Sequence, residues 1–310
     1  MTEHYPRVSV GELCRLFGYS RQAYYERQKE LEKTSIAHML VLTFVRELRE
    51  DLPGIGVRKL LKMLYYKLEE HKIKMGRDKL FSLLGFHGLL VKRRIRSVRT
   101  TQSAHWLKKY PNLIKQLVVE CPNRLWVSDI TYIRTAEGFS YLSLLTDAYS
   151  RKLVGHCLHD SLEAAGCMEA LEMALDSLPD KRRPADLIHH SDRGVQYCSE
   201  KYVELLAEAG IAISMTQSGN PYDNALAERV NGTIKNEFFP NKLYLNHREA
   251  KKAIDKIVMA YNQKRPHLSI NYLTPDQAHL MEGKLSKRWK VYKKYAKPSV
   301  LEPVSGWGDQ

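Results

Sequence analysis

The sequence predicts an α/β protein with an all-helical N-terminal third, and three observations predict it. Over residues 1–110 apolar residues recur at helical spacing, as at Val41, Phe44, Val45, Leu48 and Leu52. From Trp126 to Leu158 the period changes to short aromatic and β-branched runs separated by turns. Charge changes at the same place. Residues 1–110 hold 23 Lys and Arg against 11 Asp and Glu, a net of +12, whereas residues 111–280 hold 19 against 21, a net of −2. Residues 281–310 return to a net of +4, and the whole chain carries +14.

The N-terminal elements follow from caps and stripes. Ser9 with Glu12 three residues later forms a capping box for a helix through Leu13, Leu16 and Phe17. Gly18 breaks that helix, and Ser20 caps a second one through Tyr24 and Tyr25. Helix, glycine turn and helix, with Arg21 and Gln22 early in the second, is the order of a helix-turn-helix, although a plain helical hairpin has the same pattern. The Val41–Leu52 stripe predicts a further helix that Pro53-Gly54 ends. Leu60, Leu61, Leu64 and Leu68 mark another, and Leu80, Phe81 and Leu84 one more after Gly76. Arg58, Lys59 and Arg77 are expected outside this pair as a second DNA-binding surface. Lys92, Arg93, Arg94 and Arg96 then form a dense basic run.

The middle of the chain predicts strands at Trp126–Ile133, Phe139–Thr146 and Lys152–Leu158, then a helix over Leu162–Leu178. A fourth strand at Ala185–His190, a helix at Glu200–Ala209 and a fifth strand at Ile211–Met215 follow. A helix carrying Glu228 and a last one over Ala250–Tyr261 complete the set, with a basic loop at Lys264 and Arg265. Three antiparallel strands, then alternating helices and strands, is the order of a ribonuclease-H-like fold. The expected division is residues 1–110 helical and DNA-binding, 111–122 a linker, 123–281 the α/β core, and 282–310 a basic tail.

Composition narrows the function classes. A strong basic excess implies a polyanionic partner, here nucleic acid. No apolar run approaches the ~18 residues of a membrane span, and the N-terminus has no apolar leader. The five cysteines show no paired spacing, which argues against a zinc module and a disulfide framework. A reducing bacterial cytoplasm, with nucleoid association, is the expected setting.

Three carboxylates carry the chemistry. Asp129 stands in mid-strand among Val127, Ile130 and Tyr132, where a lone charge is costly. Asp192 stands at a strand end before Arg193-Gly194, and Glu228 on a helix 35 residues further on. Taken singly, each has a plain alternative: a strand acid paired with an arginine, a turn aspartate, a solvated helix face. Together they form an oxygen donor set suited to two Mg²⁺ (or Mn²⁺) ions, which about 3.5–4 Å apart clamp both oxygens of a phosphodiester exchange. Asn224, Glu228, Asn231 and Lys235 share one polar stripe, with Leu226, Val230, Ile234 and Phe238 on another side. Lys235 is placed for a phosphate. His190 and Asn231 are expected to support the acids, since a magnesium site prefers oxygen to imidazole.

At these residues the chain resembles the integrase-like transposases of the insertion-sequence-3 family. The matching segments are Trp126–Thr131, Thr146–Arg151, His190–Tyr197, Ser218–Asn236 and Tyr261–Ser269. The resemblance implies a retroviral-integrase-like core with Asp129, Asp192 and Glu228 as its catalytic triad. It also implies strand cleavage and 3′-hydroxyl transfer on double-stranded DNA, at terminal inverted repeats and at a target. A homo-multimer is expected, since two ends must meet, and an upstream-frame helix-turn-helix protein is a further expected partner. The residues themselves leave two alternatives: a DNA-binding regulator without activity, and a ribonuclease-H-type nuclease. The pattern departs at Ile270-Asn271-Tyr272, where relatives usually read Leu-Gly-Tyr.

Overall fold

In a computed structural model, residues 8–91, 106–178, 186–217, 224–239 and 243–287 are described. The basic run Lys92, Arg93, Arg94 and Arg96, and most of the expected C-terminal tail, lie outside them.

The first helix, α1 (Val10–Leu16), carries the expected capping box between Ser9 and Glu12. Gly18 then takes a left-handed φ of +72°, and Ser20 caps α2 by accepting from the Ala23 N–H. Here the structure departs from the sequence reading. The second short helix and the Val41–Leu52 helix are one continuous α2 (Arg21–Asp51) of 31 residues. Residues 26–34 are strong helix formers with no glycine or proline, so nothing stops the helix between its two periodic ends. α3 (Val57–Glu70) and α4 (Arg77–Phe86) follow after Gly56 and Gly76. Val41, Val45, Leu60, Leu64, Leu80 and Leu84 are fully buried between these helices.

The sheet comprises β1 (Leu125–Thr135), β2 (Gly138–Asp147), β3 (Leu153–His159), β4 (Ile188–Ser191) and β5 (Ala212–Met215). Its order is β3-β2-β1-β4-β5, with the first three strands antiparallel and β1, β4 and β5 parallel. This is the ribonuclease-H-like arrangement. Alternation puts successive residues of each strand on opposite faces. Leu145, Trp126 and Val154 meet α5 (Ala165–Asp176) and α7 (Glu200–Glu208) on one face. Leu144, Ile133 and Leu153 meet α8 (Ala225–Thr233) and α9 (His247–Gln263) on the other. The one-turn α6 (Val195–Cys198) follows β4, and α10 (Pro275–His279) lies near the end.

The apolar cluster under α8 and α9 is continuous with the cluster inside α2, α3 and α4. The N-terminal helices are therefore packed on the core. The stretch read as a linker also lies on the sheet: the Met215 N–H donates to the Pro111 carbonyl, and the Leu113 N–H to Ser214 Oγ. Asn271, at the departure from the family pattern, has φ 58°, a conformation that suits the usual glycine and that asparagine tolerates. Among the described residues no helix is long and apolar enough to cross a membrane.

Candidate active site

The site is built where β1, the end of β4 and α8 meet. On β1, Ser128 faces one side of the sheet, where its Oγ donates to the Tyr197 hydroxyl at 2.8 Å. Asp129, the next residue, must face the other side, under α8. β1 and β4 pair in parallel as Leu125–Ile188, Trp126–His189 and Val127–His190. Two further places in that register bring Asp192, just past the end of β4, beside Asp129. Adjacent strands are about 4.8 Å apart, so the two carboxylates are neighbours.

Two asparagines fasten α8 over this point. Asn224 Nδ2 donates to the Ser128 carbonyl at 3.0 Å, and Asn231 Nδ2 donates to Asp129 Oδ2 at 2.8 Å. Glu228 lies between them, four residues after one and three before the other, so it shares their stripe and is exposed. The Asp129 carboxyl registers all three acids. Burial and the neighbouring charge of Asp192 push its pKa up to about 7, with Glu228 adding to the push, against the hydrogen bonds from Asn231 and the Ile130 N–H. Asp192 Oδ1 accepts from the Gly194 N–H at 3.0 Å, which fixes the turn after β4.

Lys235 lies half-buried where α8 passes into a π-helical segment, Ile234–Phe238. Burial lowers its pKa, and the charge of Asp129 acts to raise it, so the ammonium lies within reach of the acid cluster. Val230, Ile234 and Phe238 are buried, as the apolar stripe predicts. Both histidines of β4 are buried in the sheet. His189 is fully buried beside Tyr197 and Tyr202, accepts or donates at the Tyr202 hydroxyl, and is lowered to about 3 by burial and by His190. His190 Nδ1 bonds Ser214 Oγ at 2.8 Å, on the strand next to it.

The basic residues divide into two groups. Arg21, Gln22 and Arg58 are exposed, with Gln22 bonded to Glu26. Arg77 is exposed and paired with Asp78, and Lys264 pairs with Asp51. Lys59 corrects the expectation that it stands outside, and Arg265 of the basic loop, expected as a DNA contact, is likewise engaged within the protein. Both are turned inward onto Glu237, and Arg265 is only 4% exposed. Burial of a cation is decided by its partner, and that partner lies 178 residues from Lys59 and 28 from Arg265. Sequence reasoning passed over Glu237, and also Asn224 as a fastener of α8. A local pattern marks neither, although Asn224 stands on the stripe of Glu228.

The acids are hard oxygen donors in a place where charge is uncompensated enough to raise Asp129, which is the chemistry a divalent cation relieves. Among the described residues, no three His, Cys, Asp or Glu side chains stand as a ready-made metal-holding group. The three carboxylates thus interact across the site without closing around one point.

Residues 119–221 match the integrase core domain family, and residues 209–275 match a second integrase core domain family. The chain is 32% identical over 279 residues to the transposase for insertion sequence element IS629 of Shigella sonnei, covering 88% of this chain and 92% of that protein. The chain belongs to the integrase-like insertion-sequence transposases. It is also 35% identical over 268 residues to the IS600 uncharacterized 31 kDa protein of Shigella sonnei, covering 85% of this chain and 96% of the relative. Transposase InsF of insertion sequence IS3A from Escherichia coli K12 is 34% identical over 193 residues, 61% of this chain and 66% of that transposase. Among solved structures, the HTLV-2 integrase catalytic core domain aligns at 22% identity and a TM-score of 0.40, covering 51% of this transposase chain and 97% of that domain.

Proposed function

We propose that this transposase cuts one DNA strand at each end of its insertion element and joins the freed 3′-hydroxyl to a second phosphodiester. Asp129, Asp192 and Glu228 are the acids that would hold two divalent cations, Mg²⁺ or Mn²⁺. The observation that supports this best is the Asp129 carboxyl, raised to about 7 by burial and by the other two acids at the junction of β1, β4 and α8. When bound, the cations activate the attacking oxygen and stabilise the leaving one.

The protein's own residues do the positioning. Asn231 fixes one oxygen of Asp129 and leaves the carboxylate in one orientation. Asn224 holds the start of α8 against β1, the helix from which Glu228 would complete the set. Lys235 offers an ammonium to a phosphate beside the scissile bond. Phosphoryl transfer needs positioning and charge stabilisation above all, so no covalent protein–DNA intermediate is required. The substrates on this reading are the terminal inverted repeats and a target duplex. Residues 1–110 hold the ends, residues 123–281 do the chemistry, and a homo-multimer brings two ends together. An upstream-frame helix-turn-helix protein is a further partner on the same reading.

The test is cleavage and strand transfer on duplexes carrying the terminal repeat that flanks the reading frame. Asp129→Asn, Asp192→Asn and Glu228→Gln each remove an anionic ligand and should abolish both steps in Mg²⁺ while end binding persists. Lys235→Ala should slow strand transfer with little change in Tm. Full activity of any one acid variant would remove that residue from the catalytic set.

A further inference from the structure

Glu237 lies outside the acid cluster and is half-buried, and it ties the N-terminal helices to the end of the α/β core. It belongs to the π-helical segment that continues α8, two residues beyond Lys235. Its Oε2 accepts from Arg265 Nε at 2.8 Å and its Oε1 from Arg265 Nη2 at 2.7 Å, a two-pronged pair. Lys59, in the first turn of α3, reaches the same carboxylate at 3.0 and 3.4 Å. The backbone takes part as well. The Gly54 N–H donates to the Glu237 carbonyl at 2.7 Å, and a Cβ on Gly54 would come within 2.6 Å of Glu237 Cα. Only glycine allows the loop between α2 and α3 to lie so close.

Arg265 is held in turn. It lies over the Tyr261 ring, 5.6 Å from its centroid, and its Nη1 bonds the His267 ring. The side chain is 5% exposed, and that of Lys59 14%. Burial works to raise the Glu237 carboxyl, but the Arg265 hydrogen bonds and the charges of Arg265 and Lys59 outweigh it and hold it lowered. Near these groups a second tie, Lys264 to Asp51, joins the end of α9 to the end of α2. The helices with the basic excess are thereby bonded to the helix that carries Glu228 and Lys235.

A π-helical segment also needs an explanation. Its wider turn rotates whatever follows it relative to an α-helical continuation, and such segments are common at functional sites. Here the Glu237 carbonyl is taken by Gly54 and the side chain by Lys59 and Arg265. These partners come from two separate parts of the chain, the start of α3 with the loop before it and the end of α9, and together they hold the segment in its present register.

We propose that Glu237 is a positioning residue that ties the Gly54 loop and Lys59 of the N-terminal helices to the π-helical end of α8, so that holding a DNA end sets Glu228 and Lys235 over Asp129. The role rests on the catalytic reading of those residues. It assigns to Lys59 and Arg265 a task inside the protein in place of contact with phosphate.

Lys59→Met separates the possibilities cleanly, because Glu237 keeps its two bonds to Arg265 and no buried carboxylate is left unpaired. With terminal-repeat duplex as the probe, Lys59→Met should bind with unchanged affinity and an unchanged salt slope. Its kcat for strand transfer should fall by about a hundredfold, the cost of a misplacement of roughly 1 Å at a reacting centre. Gly54→Ala, which pushes the loop off the segment by an independent route, should do the same, and Lys59→Arg should recover part of the loss. Hydrogen exchange gives a readout without chemistry: adding the duplex should protect residues 225–238 in the wild type and leave them unprotected in Lys59→Met. Wild-type kcat in both variants, or a weaker affinity with a salt slope flatter by about one, would overturn the role. A wild type that shows the protection but no divalent-dependent cleavage would instead overturn the catalytic reading and leave the coupling standing.

Discussion

At Asp129 a carboxylate is placed where its ionised form is disfavoured by burial and by Asp192, and that penalty is measurable through pH. The folded group has a pKa of about 7, whereas the unfolded one has its ordinary value of 3.8. Below pH 3.8 both states are protonated and the group leaves stability untouched. Between 3.8 and about 7 the folded state binds more protons than the unfolded, so stability falls as pH rises through that window. Asp129→Asn removes the charge and should keep most of the contact with Asn231. The variant should therefore match the wild type in Tm near pH 4 and exceed it at pH 8 by about 5 °C or more, since each kcal/mol moves a domain of this size by roughly 2–4 °C. Mg²⁺ should raise the wild-type Tm at pH 8, lose that effect as pH falls below 7, and leave Asp129→Asn unchanged. Equal pH profiles for the two proteins would show that neither burial nor Asp192 raises Asp129 in the folded protein.

At the scale of elements, the sheet was legible because strand patterns are local. Leu144 and Leu145 alternate between two cores, and runs such as Trp126–Ile133 carry β-branched and aromatic residues whatever the rest of the chain does. The close approach of α5 to the sheet is also written in one residue. A Cβ on Gly155 of β3 would clash with the Ala170 carbonyl oxygen on α5. Gly155→Ala must separate the two elements, and should lower stability by about 3 kcal/mol or more in a denaturant titration, at or beyond the usual range for overpacking. A neutral result would mean that α5 sits further from β3 than described. What could not be read locally was long-range. The two helices expected between Ser20 and Leu52 are one, because residues 26–34 lack an apolar stripe and lack a breaker too. The acids of the candidate site stand out in the sequence through their unusual neighbours, Asp129 amid apolar strand residues above all. The inward turn of Lys59 and Arg265 was invisible, because a lysine on a basic helix looks the same in sequence whether it meets solvent or a glutamate 178 positions away.

Over the whole molecule, the charge is unevenly divided. The net of +12 over residues 1–110 stands against −2 over residues 111–280, where the acids gather. Among the described residues Arg58 and Arg21 remain exposed, while Lys59, Lys264 and Arg265 are engaged within the protein. We propose that the sequence-independent grip on DNA lies in the N-terminal third and that Lys92, Arg93, Arg94 and Arg96 carry much of it. Each phosphate neutralised on duplex DNA contributes roughly −0.9 to the slope of log affinity against log salt. Replacing the four with alanine should flatten the slope by up to about 3–4 if all of them meet phosphates. Base-edge contacts behave differently, so Arg21→Ala or Gln22→Ala should narrow the preference for the terminal repeat over a scrambled duplex and change the slope little. A salt titration on both duplexes measures the two effects together. An unchanged slope in the quadruple variant would move the grip to the exposed arginines of α2 and α3, which Arg21→Ala and Arg58→Ala, combined, would then have to flatten.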